Sequence, residues 1–247
     1  MKKSNTIKFV LVLILICINH LQAADFHVST RNQLKEALSM SAGNKDAKDT
    51  IYLAAGIYTG EYRLDGFRII EGEENEIKVC GEDGTTAEEV ILDGEDISNI
   101  IYFDLYNINV NIIFQGLTIQ RGGGDTSLAK AAYIRTDGNI EFIKCIIDRI
   151  IGFYNDSDVN LHSKKNIKIS NSTFSNSRAS NSEHVERIKI YANTVIFKEN
   201  SFINYRGLST ASINNAYSVT INSNLITNNE GGIRCSNISH LYISNFK

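Results

Sequence analysis

Asn111-Ile-Ile-Phe-Gln-Gly-Leu-Thr-Ile119 returns, altered in detail, as Asn139-Ile-Glu-Phe-Ile-Lys-Cys-Ile-Ile147, Asn166-Ile-Lys-Ile-Ser-Asn-Ser-Thr-Phe174, Thr194-Val-Ile-Phe-Lys-Glu-Asn-Ser-Phe202, Ser218-Val-Thr-Ile-Asn-Ser-Asn-Leu-Ile226 and a clipped His240-Leu-Tyr-Ile-Ser-Asn-Phe246. Successive starts lie 28, 27, 28, 24 and 22 residues apart, shorter than a propeller blade of ~40 and suited to one turn of a β-solenoid. The second and fourth positions of every block are apolar, the alternation of a half-buried strand. The ninth is apolar in every complete block, and the residues between are polar or small, so each block reads as strand, tight bend, short strand. A third strand precedes each block at Tyr133-Ile134, Asn160-Leu161, Ile188-Lys-Ile190 and Ser212-Ile213. Three strands per rung is the cross-section of a parallel β-helix.

Rungs stacked ~4.8 Å apart bring like positions into register. Phe114 over Phe142 and Phe174 near Phe202 are expected core stacks. Asn176, Asn204 and Asn228 fall two residues after the ninth position, where amides can bond along the axis and hold a left-handed bend. The chain has no proline and about one residue in nine is Asn. A coil hydrogen-bonded on both sides of nearly every rung excludes proline for want of its N–H.

The amino-terminal half supplies a cap and the first rungs. After the short strand Phe26-His27-Val28, Thr30 and Gln33 stand in capping-box relation ahead of Leu34, Ala37 and Leu38 at helical spacing. This helix, Asn32–Ser41, is expected to plug the open end of the coil. Asp49-Thr-Ile-Tyr-Leu53, Gly56-Ile-Tyr58, Ile77-Lys-Val79 and Val90-Ile-Leu-Asp-Gly94 follow as strands. The fold class is all-β, one domain over residues 24–247.

Residues 1–23 have the order of a cleavable export leader: Lys2, Lys3 and Lys8, an apolar run from Phe9 to Ile18, then Leu21-Gln22-Ala23 before Ala24. The run is too short to span a membrane. The mature protein is therefore expected to be secreted, to the periplasm, cell surface or medium. Ile16 ahead of Cys17 argues against lipidation. Losing three leader lysines takes the formal charge from −3 to −6, and with no basic run nucleic acid is excluded as a partner. Cys80, Cys145 and Cys235, an odd and widely spaced set, indicate neither a disulfide framework nor a zinc site; they read as single buried thiols.

The helix Asn32–Ser41, the strand Asp49–Leu53, Gly56-Ile-Tyr58, Ile91-Leu-Asp-Gly94 and Gly116-Leu-Thr-Ile119 together resemble, in order, the right-handed parallel β-helix proteins of the pectate-lyase-like superfamily, over most of the mature chain. The right-handed sense is what this resemblance implies. Gly116-Leu-Thr-Ile119 and Gly231-Gly-Ile233 are also similar to polymorphic outer-membrane and adhesin-type repeats, although of that family's Phe-x-x-Asn signature only Ile226…Asn229 keeps the Asn. Resemblance to the lyases implies β-elimination on an acidic polysaccharide with calcium-binding carboxylates and an Arg or Lys base. Resemblance to the polygalacturonase-like hydrolases implies clustered Asp residues as acid and base. Neither motif is matched residue by residue, and fold alone does not license an activity.

The stretches between in-register segments, residues 122–132, 150–159, 177–187, 205–211 and 230–232, are expected to emerge on one side of the coil, where a groove would be built. They gather Arg121, Asp125, Lys130, Arg149, Asp156, Asp158, Arg178, Glu183, His184, Glu186, Arg187 and Arg206. Asp156 and Asp158 are of a kind to hold calcium through oxygen ligands; the ordinary reading is two acids in a polar turn facing water. His184, between Glu183 and Glu186 with Arg187 beyond, suits a general base or a sugar-binding group; the ordinary reading is a solvated charged loop. Gly122-Gly123-Gly124 lacks the Lys-Ser/Thr of a phosphate loop and is read as a flexible connection. The leading functional reading is an exported, non-catalytic scaffold that binds carbohydrate or contributes to the cell surface. The opposing one is a polysaccharide lyase or glycoside hydrolase, with calcium if a lyase. No cofactor motif is present.

The last block stops before its ninth residue with no cap after it. The expectation is a truncated form of a longer coil, or one that closes its end against another chain. The alternative is that Lys247 and Ser244-Asn245 blunt the edge well enough.

Overall fold

A computed structural model of the chain describes residues 23–43, 48–59, 66–69, 75–97, 99–123, 131–152, 159–179, 186–204, 209–229 and 231–245, with the side chains of 151–152, 178–179, 186–187 and 209 not included. All paired strands are parallel, and they form three long sheets of nine, seven and seven strands around one core. The first sheet runs Asp25–Val28, Lys48–Leu53, Glu76–Gly81, Asn111–Gln115, Ile140–Ile143, Asn166–Ser170, Thr194–Lys198, Ser218–Asn222 and His240–Ser244. The second holds Gly56–Thr59, Val90–Asp93, Thr118–Gln120, Ile146–Asp148, Thr173–Ser175, Ser201–Ile203 and Leu225–Thr227. The third holds Phe67–Ile69, Ile101–Leu105, Ala132–Thr136, Val159–Ser163, Glu186–Tyr191, Ser209–Asn214 and Ile233–Ser236. The chain visits first, second and third sheets in turn, so the all-β parallel β-helix read from the repeat is the fold.

Register follows the block. Ile112, Ile140, Ile167, Val195 and Val219 stack in one inward column of the first sheet, and Phe114, Phe142, Ile169, Phe197 and Ile221 in the next. All ten are buried. The expected ring stacks are present, Phe114 to Phe142 and Phe174 to Phe202 each at 5.2 Å between centroids.

From Asn111 onward the rungs turn two of their corners by left-handed residues. Between the first and second sheets these are Gly116, Lys144, Asn171, Glu199 and Ser223, with Asn245 at the like position after the last strand; after the second sheet they are Arg121, Arg149, Asn176, Asn204 and Asn228. The three asparagines predicted for that second corner have φ of 54°, 56° and 54°. One step inside the first corner, Ser172, Asn200 and Asn224 face inward and are 1% exposed, on one column with Leu117 and Cys145. This polar line within the core was not anticipated from the sequence.

Helix α1 (Arg31–Gly43) closes the amino-terminal end, a turn longer in all than expected. The capping box is formed: Thr30 N–H donates to Gln33 Oε1 at 3.1 Å, and Gln33 N–H donates to Thr30 Oγ1 at 3.3 Å. Leu34, Ala37 and Leu38 are buried against the terminal strands of the first and third sheets. The Tyr58 hydroxyl lies 2.9 Å from the carbonyl oxygens of both Val28 and Ala54, sharing its hydrogen between them.

Two smaller readings change. Gly122 is not a loose connector: a Cβ there would sit 2.9 Å from the Ala131 Cα, so the glycine permits close packing. Cys80 and Cys145 are buried, whereas Cys235 is only half-buried. At the other end of the coil, Leu241, Tyr242 and Ile243 of the last described strand are 47%, 60% and 57% exposed. Phe246 and Lys247 lie outside the described residues.

Candidate functional site

The stretches expected to share one side of the coil do share one connection. Each joins a strand of the second sheet to the following strand of the third. Where they leave, Ile151–Gly152 and Arg178–Ala179 pair as a two-stranded extension. Asp125, Lys130, Asp156, Asp158, Glu183, His184 and Arg206 lie outside the described residues. Arg178, Glu186 and Arg187 are placed by backbone only, in the strands Arg178–Ala179 and Glu186–Tyr191.

Arg121 and Arg149 are described in full, at the foot of these connections. They occupy the left-handed corner position that Asn176 and Asn204 fill in later rungs. Arg121 grips Asp93 through Nε at 3.0 Å and Nη2 at 2.6 Å, and Gln120 Nε2 donates to the same oxygen at 2.8 Å. On the next rung Arg149 donates to Gln120 Oε1 and to Asp148 Oδ2, both at 2.7 Å. Asp148 also accepts from Ser175 Oγ at 2.7 Å and Asn176 Nδ2 at 2.8 Å, and Asn176 Oδ1 accepts from Asn204 Nδ2 at 3.0 Å. The corner is one continuous axial ladder from Asp93 to Asn204.

Burial pushes the Asp93 carboxyl up, but hydrogen bonds from Arg121, the Glu95 N–H and Gln120 outweigh it and hold the group below its usual range. Asp148 follows the same balance, burial opposed by Ser175, Asn176 and Arg149. The Asp93 hydrogen bond raises Arg121 still further above its ordinary value. A guanidinium so held does not lose a proton at neutral pH, so Arg121 is unsuited to act as the base of an elimination.

Beside this corner runs the outer face of the third sheet. Alternation turns Ile101, Phe103 and Leu105 inward and leaves Tyr102 and Asp104 outward; the other strands of the sheet follow suit. Tyr102 stacks on Tyr133 at 5.1 Å, Tyr133 lies 6.3 Å from His162, and His162 stacks on Tyr191 at 4.5 Å. Arg68 sits over the Tyr102 ring at 5.6 Å. Arg135 makes a two-pronged bond to Asp104 at 2.6 and 3.0 Å and covers the Tyr106 ring at 4.4 Å. Among the described outward side chains of this sheet, Arg68, Arg135, Lys189 and Arg234 face a single carboxylate, Asp104. Among the described side chains of this face, cations outnumber carboxylates.

The ring faces are turned along the axis and consumed by their neighbours, so the track offers hydroxyls, an imidazole, amides and cations rather than flat aromatic platforms. None of its residues was singled out as a site from the sequence. The signal was there in the alternation: Tyr133 and Lys189 lie beside apolar residues of the strands already recognised, hence outward.

Among the described residues no three His, Cys, Asp or Glu side chains converge as metal ligands, and no helix is long and apolar enough to cross a membrane. No protein-family model matches this chain, and no curated protein matches it in sequence.

Proposed function

We propose that the chain is an exported, right-handed parallel β-helix of the pectate-lyase-like kind that binds an extracellular or cell-surface glycan along the outer face of its third sheet, without cleaving it. The observation that carries this reading is the row Arg68, Tyr102, Tyr133, His162 and Tyr191, with Lys189 alongside. Arg68, Tyr102 and Tyr133 stand in one column and His162 and Tyr191 in the next, so successive rungs each carry a hydrogen-bonding or cationic group, as a polymer of repeating polar units requires. The rigid ladder beneath costs little ordering entropy on binding. The local cation excess favours an anionic polymer at modest ionic strength.

The test is binding of the mature chain to immobilised acidic and neutral polysaccharides, with Tyr133→Ala and Lys189→Glu as variants. Retention on at least one glycan, weakened by either substitution, supports the reading; retention untouched by both places the site elsewhere. The same panel, assayed for unsaturated or reducing-end sugars with and without calcium, tests the lyase or hydrolase alternative. Product release overturns the non-catalytic reading.

A further inference from the structure

We infer that cleavage of the leader after Ala23 creates a partly buried ion pair between the new α-ammonium of Ala24 and the carboxylate of Asp49, which fastens the first strand to the coil. The inference rests on the export reading for the leader and is independent of the glycan reading.

The geometry is already assembled. Ala24 N lies 3.0 Å from Asp49 Oδ1. Thr50 N–H donates to the Ala24 carbonyl at 3.0 Å, and Asp25 pairs with Thr50, so residue 24 stands directly on Asp49. Asp49 points inward and is 1% exposed. It heads the column continued by Ile77, Ile112 and Ile140. A carboxylate set over hydrocarbon is stabilised by charged, hydrogen-bonding partners. A peptide nitrogen offers one neutral N–H at that place; an α-ammonium offers three donors and a full charge.

Hydrolysis of the Ala23–Ala24 amide makes that change. Water's oxygen bonds to the Ala23 carbonyl carbon, the C–N bond breaks, and the leader departs with Ala23 as its carboxylate. Both hydrogens of the water end on the Ala24 nitrogen, giving –NH₃⁺. No other reactant is needed beyond the leader-cleaving protease as catalyst. The product is fixed at both flanks: the Ala24 carbonyl by Thr50, and the strand Asp25–Val28 by the Tyr58 hydroxyl on Val28. Processing therefore converts a hydrogen bond at the lip of the coil into a salt bridge.

The experiment compares three forms of the mature chain: one beginning at Ala24, released from a tag by a protease that leaves no residue behind; the same chain acetylated on Ala24; and one retaining Ala23. Hydrogen exchange at Phe26 and Val28, whose N–H groups face the neighbouring strand, is the readout. Acetylation or retention of Ala23 is expected to speed exchange roughly tenfold or more while the rest of the coil keeps its protection. In an Asp49→Asn background the free and acetylated forms should exchange alike. Equal exchange of all three unmutated forms overturns the ion pair, and needs no variant to fold. Amino-terminal sequencing of the exported protein tests the cleavage step separately: a start other than Ala24 overturns that step, whatever the exchange data show.

Discussion

Inside the coil the side-chain amide of Asn200 donates to Oδ1 of Asn224 at 3.0 Å, and the backbone N–H of Asn200 donates to the same oxygen at 3.0 Å. Asn200 Nδ2 also donates to the Ile169 carbonyl at 2.8 Å, and its Oδ1 accepts the Ser172 N–H at 3.0 Å. Nδ2 and Oδ1 of that side chain thus each serve a backbone group at the corner, and Nδ2 also serves the neighbouring rung. Asn200→Ala is expected to cost roughly 2–4 kcal/mol, since two buried backbone groups lose partners with no water to replace them. Asn204→Ala, at the exposed corner, should cost less than about 1 kcal/mol. Urea unfolding of the pair measures the contrast; equal midpoints would show that Asn200 is not needed in the core.

Phe142 is 1% exposed and stacks on Phe114. Its truncation to Ala should cost roughly 3–5 kcal/mol by lost burial and a residual cavity. Neighbouring rungs share the column, so the loss should spread along it. A denaturation midpoint unchanged within error would contradict the inward placement.

Arg121 and Arg149 occupy like positions, yet removing them should differ. Asp93 is 2% exposed, so Arg121→Ala leaves a buried charge with only the neutral donors of Gln120 and the Glu95 N–H, at an expected cost of about 3 kcal/mol. Arg149 is 54% exposed, and Asp148 keeps Ser175 and Asn176, so Arg149→Ala should cost under about 1 kcal/mol. Thermal unfolding of the two variants would show the order.

Acid should weaken the same corner. Asp93 and Asp148 hold folded-state values below the ordinary carboxylate range. Their contribution to stability is complete above the unfolded value of ~3.9, and is lost as pH falls below it through the folded values. Urea midpoints followed from pH 7 downward should drop more shallowly below about pH 4 in Asp148→Asn than in the unaltered chain. Parallel curves would tell against this linkage.

The thiols should react in order of access. Burial pushes Cys145 up to about 12, and it is 1% exposed, while Cys235 is half-buried. Alkylation of the native protein, followed by mass spectrometry, should modify Cys235 before Cys145; early loss of Cys145 would show that the core opens.

The rungs were legible because their inward positions are nearly all large and apolar, and the cap because Thr30, Gln33, Leu34 and Leu38 obey local rules of helix initiation. The strand Phe67–Ile69, at three residues, is too short to display a period in the sequence. The strand Ile101–Leu105 alternates well but precedes the recognisable block. The inner amide line was missed for a different reason. Leu117, Cys145, Ser172, Asn200 and Asn224 share one column that changes from apolar to polar along the axis, so no repeated residue type marks it as inward. In the later rungs polar side chains point inward at that corner, where Asn200 and Asn224 donate to the Ile169 and Phe197 carbonyls. The candidate loops showed their common origin through spacing, whereas the track on the third sheet needed register across strands that sequence shows only one at a time.

Like over like has an architectural outcome. Asn166 stands between Asn139 and Thr194, Ile167 between Ile140 and Val195, Phe174 between Ile147 and Phe202. Cutting out a whole turn of the coil brings together surfaces of the same kind, and inserting one offers each neighbour a copy of what it already touches. Such a molecule changes length in fixed steps of ~4.8 Å, as a vernier does. Genetic duplication or loss of a turn alters its reach and the number of groups along its outer row while leaving its cross-section unchanged.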